Sequence, residues 1–160
     1  MTRRLAVLVV AAVALAVTGC SPAPANSETP QQSQDRMLAL LDDVQTQIGG
    51  AWTDEDSPSP RGCLLAGGEE GVTFTGTRTL EAQPVTEAQI DELVTYLSDE
   101  GFDAGRSSTG ALEGVLAVDP DDETSFVEVR VADESTQLKG QAACAVGDIN
   151  VELDRVKSQQ

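Results

Sequence analysis

From Ser125 to Ala132 the chain reads Ser-Phe-Val-Glu-Val-Arg-Val-Ala, so that Val127, Val129 and Val131 alternate with Glu128 and Arg130. A period of two places the valines on one face of a strand and the charges on the other. A sheet built from such strands has one wet face and one dry face, and helices are the usual cover for the dry one. The pattern therefore predicts an α+β fold. Trp52, Phe74, Tyr96, Phe102 and Phe126 are the only aromatic residues. The core must be built mainly from Val, Leu, Ile and Ala.

Turn chemistry on both sides extends the strand into a sheet. Asp119-Pro-Asp-Asp-Glu123 and Asp133-Glu-Ser135 separate it from Ala111–Val118 and Leu138–Val146, which predicts an antiparallel meander. Phe102–Arg106 reads as a further strand. In Gly71–Leu80, Val72, Phe74 and Leu80 alternate with Thr73, Thr75 and Thr79, and Gly76 marks a bulge. Met37, Leu41, Val44 and Ile48 form the stripe of a helix over 34–48, with Ser33 as N-cap and Gly49-Gly50 as the stop. A second helix is framed by a capping box, Thr86 with Gln89, and by a hydrophobic staple, Val85 with Ile90. Ile90, Leu93, Val94 and Leu97 form its buried face, and Gly101 ends it with Phe102 folded back over the last turn.

Residues 51–61 hold Trp52, the acids Asp54-Glu55-Asp56, and Pro58 and Pro60, and read as an irregular segment. Trp52 is expected to anchor this segment on the core, the alternative being a contact residue for a partner. The expected order is α-β-α-β-β-β-β. This is a two-layer sandwich of two helices on an antiparallel sheet of about four to five strands, with one domain over 33–148 and a frayed or weakly helical tail over 149–160.

The first residues have a different character. Arg3 and Arg4 precede the apolar run Leu5–Val17, and Thr18-Gly19-Cys20 follows. A basic start, an apolar stretch and small residues are the layout of a secretory signal peptide over 1–19. As a helix, the run rises only about 20 Å, short of a hydrocarbon core of about 30 Å. Val17-Thr18-Gly19-Cys20 also resembles the bacterial lipobox. That resemblance implies cleavage between Gly19 and Cys20 and a diacylglycerol on the Cys20 sulfur, commonly with a third chain on its amine. One acyl chain binds membranes marginally, whereas two or three anchor stably. Residues 20–32, rich in Pro, Ser and Gln, then read as a tether. A plain cleaved signal peptide and a membrane span are the competing readings.

With Cys20 assigned to lipid, Cys63 and Cys144 remain as a pair, and export makes a disulfide the expected outcome. A redox pair or metal site has little to build on, since no CxxC is present and the chain has no histidine. Removal of the signal takes Arg3 and Arg4 and leaves 8 basic against 27 acidic residues, a balance of −19. Such a field repels phosphate, which excludes nucleic acid as a natural partner and leaves acyl chains to hold the membrane. Of the ten basic residues in the full sequence, eight are Arg and two Lys, a bias typical of GC-rich bacterial genomes.

Motifs of catalysis are lacking. The missing histidines remove Ser-His and Cys-His arrangements and most zinc sites, and no GxSxG, P-loop or dinucleotide fingerprint is present. Counted from Asp119, the acidic stretch puts Thr124 where a calcium loop needs Gly and Arg130 where it needs a bidentate Glu. It reads as a hairpin turn, and Asp54–Asp56 reads as a solvated loop. The sequence calls for neither a cofactor nor a metal.

Gly49-Gly50-x-Trp52, a proline ahead of Cys63, Val72-x-Phe74, a helix ending at Gly101-Phe102 and a late strand carrying Cys144 resemble small actinobacterial envelope lipoproteins, in particular the LppA-like lipoproteins of mycobacteria and relatives. The resemblance spans about residues 33–148. It implies an α+β domain on the outer face of the cell membrane with its two cysteines bridged, and it carries over no catalytic residue. The expected function is a non-enzymatic, monomeric binding module of the envelope with an unidentified partner. The alternative is a carrier of a small apolar ligand or lipid held between helices and sheet.

Overall fold

A computed structural model describes residues 28–81, 85–109 and 112–158. The expected signal peptide, Gly19, Cys20 and most of the expected tether lie outside them.

Helix α1 runs from Pro30 to Ile48, four residues earlier than the stripe alone predicts. The reason is a second capping box, in which Thr29 and Gln32 exchange side chain and backbone hydrogen bonds as Thr86 and Gln89 do, with proline at the first helical position. Ser33 is therefore inside the helix, where its buried hydroxyl donates to the Ala143 carbonyl at 2.8 Å and pins α1 to the sheet. Helix α2 covers Glu87–Asp99. Gly101 ends it at φ +97°, and the Phe102 amide donates back to the Leu97 carbonyl at 3.0 Å, as in a Schellman motif. The staple also forms, since Val85 and Ile90 are both buried in the core.

The sheet exceeds the four to five strands expected. It contains eight, β1 (Trp52–Asp54), β2 (Ser57–Leu64), β3 (Glu70–Glu81), β4 (Asp103–Thr109), β5 (Leu112–Asp119), β6 (Asp122–Val131), β7 (Ser135–Gln141) and β8 (Ala145–Val146), all pairing antiparallel. Their order is β1-β3-β7-β6-β5-β4, with β2 and β8 also on β3. The registers show why the count is high. Along one edge of β3, β1 pairs with residues 78–80 and β2 with 70–75, the register advancing by two between Ser57 and Arg61. Along the other edge, β7 and β8 are offset by one residue across Ala142–Cys144. Two bulged strands thus flank the long β3, and eight segments fill six positions.

The 51–61 segment, expected to be irregular, is therefore an edge strand. Proline has no amide to donate, so Pro58 and Pro60 are tolerated where one side of the strand is free. The expected strand 138–146 is real but is broken by the one-residue offset. The C-terminal segment, expected to be frayed or weakly helical, takes the helical form: Ile149–Lys157 is helix α3, capped by Asp148, with Val156 buried. The order is accordingly α-β-β-β-α-β-β-β-β-β-α.

Helix α1 lies over β3 and β7, α2 over β4 and β5, and α3 against β2. Phe74, Leu41, Leu93, Leu97, Leu138, Val44, Val115 and Val129 fill the layer between helices and sheet and are fully buried. Gly76 does not form a bulge. It pairs with Gly140 across β3 and β7, directly beneath α1. A Cβ at Gly76 would lie 2.7 Å from a Leu41 methyl, and one at Gly140 would lie 3.1 Å from the Met37 sulfur. The glycines let the helix descend onto the sheet.

Candidate functional site

At the end of the sheet where β5 turns into β6, a cleft of about 410 Å³ opens between α1, the α2–β4 corner and the ends of β6 and β7. Each wall follows from a local feature. The Ser33–Ala143 hydrogen bond holds the first turns of α1 against the strand ends. The Gly101 reversal delivers Phe102 and Glu100 to a second wall. Asp119 closes the third by accepting the Asp121 amide at 2.9 Å across the Pro120 turn. Met37, Val127 and Ala142 are buried at its base, with Leu40 and Phe102 half-buried beside them.

The rim is acidic. Asp43, Glu100, Asp119 and Asp121 line it against a single cation, Arg36, whose guanidinium is 3.0 Å from Glu28. The phenol of Tyr96 registers this field: its pKa is raised first by burial and then by Asp43 and Glu100. The arrangement can receive an apolar group on its base and favours positive charge or hydrogen-bond donors at its mouth. Asp119 and Asp121 form a turn, and among the described residues no group of three His, Cys, Asp or Glu side chains is placed to hold a metal ion.

Of the residues singled out from the sequence, Cys63 and Cys144 form a disulfide that ties β2 to the offset between β7 and β8 across 81 residues. Gly71 is needed beneath it, because a Cβ there would lie 2.7 Å from the Cys144 sulfur and 2.8 Å from the Ala145 carbonyl oxygen. Trp52 is half-buried against the core, and its indole N–H donates to the Gly49 carbonyl at 2.9 Å. It seals the end of α1 and stands apart from the cleft. Cys20 and Gly19 lie outside the described residues. The cleft joins segments near 33–43, 100–102, 119–127 and 141–143, and no local pattern announces such a meeting.

Two further residues carry weight unseen in the sequence. Asp122 accepts the Cys144 amide at 2.9 Å and the Thr124 amide at 2.9 Å, fastening the hairpin to the disulfide strand. Arg78 lies on the inward register of β3 and is only 3% exposed, ringed by Asp42, Asp54 and Asp56. The clue to Arg78 is its even spacing from Phe74 and Leu80, while the acids that ring it come from 22 to 36 residues away.

No protein-family model matches the chain, and no curated protein matches it. Among solved structures it is similar to a DUF4853 family protein from Actinomyces odontolyticus, with a TM-score of 0.53 and 17% identity. The match covers 75% of this chain and 67% of that one. At this identity the likeness concerns the fold alone.

Proposed function

We propose that this chain is a lipid-anchored, extracytoplasmic lipoprotein of the LppA-like kind, acting as a non-enzymatic binding module of the cell envelope. Its anchor would be Cys20, exposed by cleavage after Gly19. The observation that carries the binding role is the cleft beside α1, which lies outside a filled core and joins an apolar base to an acidic rim. The lipobox pattern, the disulfide and a chain without histidine support this reading over catalysis.

A photo-crosslinker at Ala39, an exposed cleft residue, tests it in intact cells. It should capture a reproducible partner that a crosslinker at the exposed Gln47 does not. Equal capture at both positions, or none, refutes the cleft as the binding site. For the anchor, Cys20→Ala should move the protein out of the membrane fraction, and full retention refutes lipidation.

The carrier reading now has a different location. Side chains fill the helix–sheet layer, so a lipid between those layers is disfavoured. The cleft volume does lie within the range of small-ligand sites, about 300–1,000 Å³. A ligand that co-purifies with the native protein and is lost in Leu40→Glu would favour the carrier.

A further inference from the structure

The end of the molecule that holds the disulfide also holds most of the strongly exposed apolar side chains. Among the described residues these are Leu64 (67% exposed), Val146 (57%) and Val151 (63%), with Leu116 on the sheet the fourth. Leu64 and Val146 share a shallow concavity of about 650 Å³ with Ile149, over the small residues Gly62, Gly71 and Gly147. Val151 stands in the first turn of α3, immediately beyond. Leu64 ends β2 and Val146 ends β8, and both strands flank β3 at its first residues. By register the two residues lie opposite Glu70 and Gly71, on either face of the same end of the sheet, and their strands are cross-linked there by Cys63–Cys144.

The chain enters the fold at this same end. Pro30, the first residue of α1, lies against Gly147, close enough that a Cβ on that glycine would sit 2.6 Å from the proline ring. Ten residue steps separate Cys20 from Pro30. Even fully extended they span no more than about 36 Å, little more than a bilayer's hydrocarbon thickness. An acyl anchor on Cys20 therefore joins the fold at the apolar end, the opposite end of the sheet from the 132–135 turn, which favours lipid contact at the apolar end.

We propose that this end of the domain docks on the outer lipid surface, with Leu64 and Val146 entering the interface and fixing the orientation of the protein. The inference rests on the reading of Cys20 as lipidated. Three apolar side chains amid Glu70 and Asp148 would bind a membrane poorly on their own. The tether supplies a high local concentration, and the patch then selects one orientation. A second copy or a protein partner would need no such coincidence between the patch and the entry of the chain.

The test uses the full lipidated chain in vesicles of phosphatidylethanolamine and phosphatidylglycerol with brominated acyl chains. Leu64→Trp and Leu116→Trp each add one indole above the common Trp52 background. Emission from Leu64→Trp should be quenched at least threefold more strongly than that from Leu116→Trp. Equal quenching in a vesicle-bound, acylated protein overturns the docking and leaves the anchor reading intact. A mass spectrum without acyl chains on Cys20 overturns both. Because tryptophan itself favours interfaces, the wild-type chain supplies a second reading. Amide exchange over residues 62–65 and 145–151 should slow severalfold on vesicles relative to soluble Cys20→Ala, and unchanged exchange overturns the docking.

Discussion

Arg78 and Arg106 each gather carboxylates from a neighbouring helix, yet they occupy opposite environments. Arg78 is 3% exposed, with Nε 2.8 Å from Asp54 and Nη2 3.2 Å from Asp42, and it also pairs with Asp56. It links α1, β1 and the edge of β2 to the middle of the sheet. Arg106, 45% exposed, joins β4 to Glu87 and Asp91 of α2, the latter at 2.8 Å. In the sequence Arg78 stands among threonines and Arg106 close to Asp99, Glu100 and Asp103, and neither setting announces the outcome. Burial of the arginine itself separates them. Arg78 is packed into the sheet, with Asp56 half-buried and its other acids facing water, whereas both sides of the Arg106 pairs are exposed and screened.

The largest expected loss follows from Arg78→Ala, which opens a void in the sheet and leaves the half-buried Asp56 without its cation, while Asp42 and Asp54 face water. Unfolding in urea should show a destabilisation of about 3–5 kcal/mol. Arg78→Met, which keeps the packing volume, should recover part of it. Equal losses for Arg78→Ala and Arg106→Ala would abolish the contrast. The disulfide ranks beside this effect. Cys63→Ser with Cys144→Ser frees a loop of 81 residues, and the chain-entropy model gives about 4 kcal/mol. A midpoint unchanged by reduction would show that this tie is redundant.

Gly140→Val should cost about 1–3 kcal/mol by overpacking against Met37 and Leu41. It also sharpens the comparison, because raising α1 pulls Asp42 away from Arg78. A double-mutant cycle between Gly140→Val and Arg78→Ala should be non-additive, while the cycle with Arg106→Ala should be additive. Gly62→Ala, whose Cβ would meet nothing within 4 Å, is the control for a harmless substitution.

The smallest effects belong to the exposed cluster. The Arg106 hydrogen bond holds the Glu87 carboxyl below its ordinary pKa, while the hydrogen bond to Glu87 raises Glu113. A lowered carboxyl stabilises the fold above its unfolded pKa and loses that contribution as pH falls through the folded value. A raised one stabilises below its unfolded pKa and loses it as pH climbs through the folded value. The two oppose each other in mild acid, so the melting temperature of the intact protein should change little with pH there. An NMR titration should find Glu87 below and Glu113 above the usual glutamate value, with Glu87 rising in Arg106→Gln. Glu87 unmoved by that substitution would remove the arginine as the cause.

Features that act within a few residues are legible in the amino-acid order. The Thr86–Gln89 box, the Gly101 stop, the Val127–Val131 alternation and the Met37–Val44 stripe all form as their spacing implies, because short-range hydrogen bonding and periodic burial set them. The pairing of Cys63 with Cys144 also follows, from counting. The 51–61 segment does not. Its prolines argue against a strand unless one knows that β3 is long enough to offer an edge to both β1 and β2. Helix α3 is legible only as one of two alternatives for a similar reason, since a nine-residue segment with one buried valine is held by docking against β2 rather than by its own propensity.

The sequence by itself determined the dry face of β6, the ends of α2 and the cysteine pair, each fixed by contacts close in the chain or by number. Tertiary structure decided the width of the sheet, the close seat of α1 on Gly76 and Gly140, the burial of Arg78 and the meeting of four segments around the cleft. These depend on which strand edges and helix faces find one another. Such long-range choices are settled by the packing of the whole core, and no single stretch of residues encodes them.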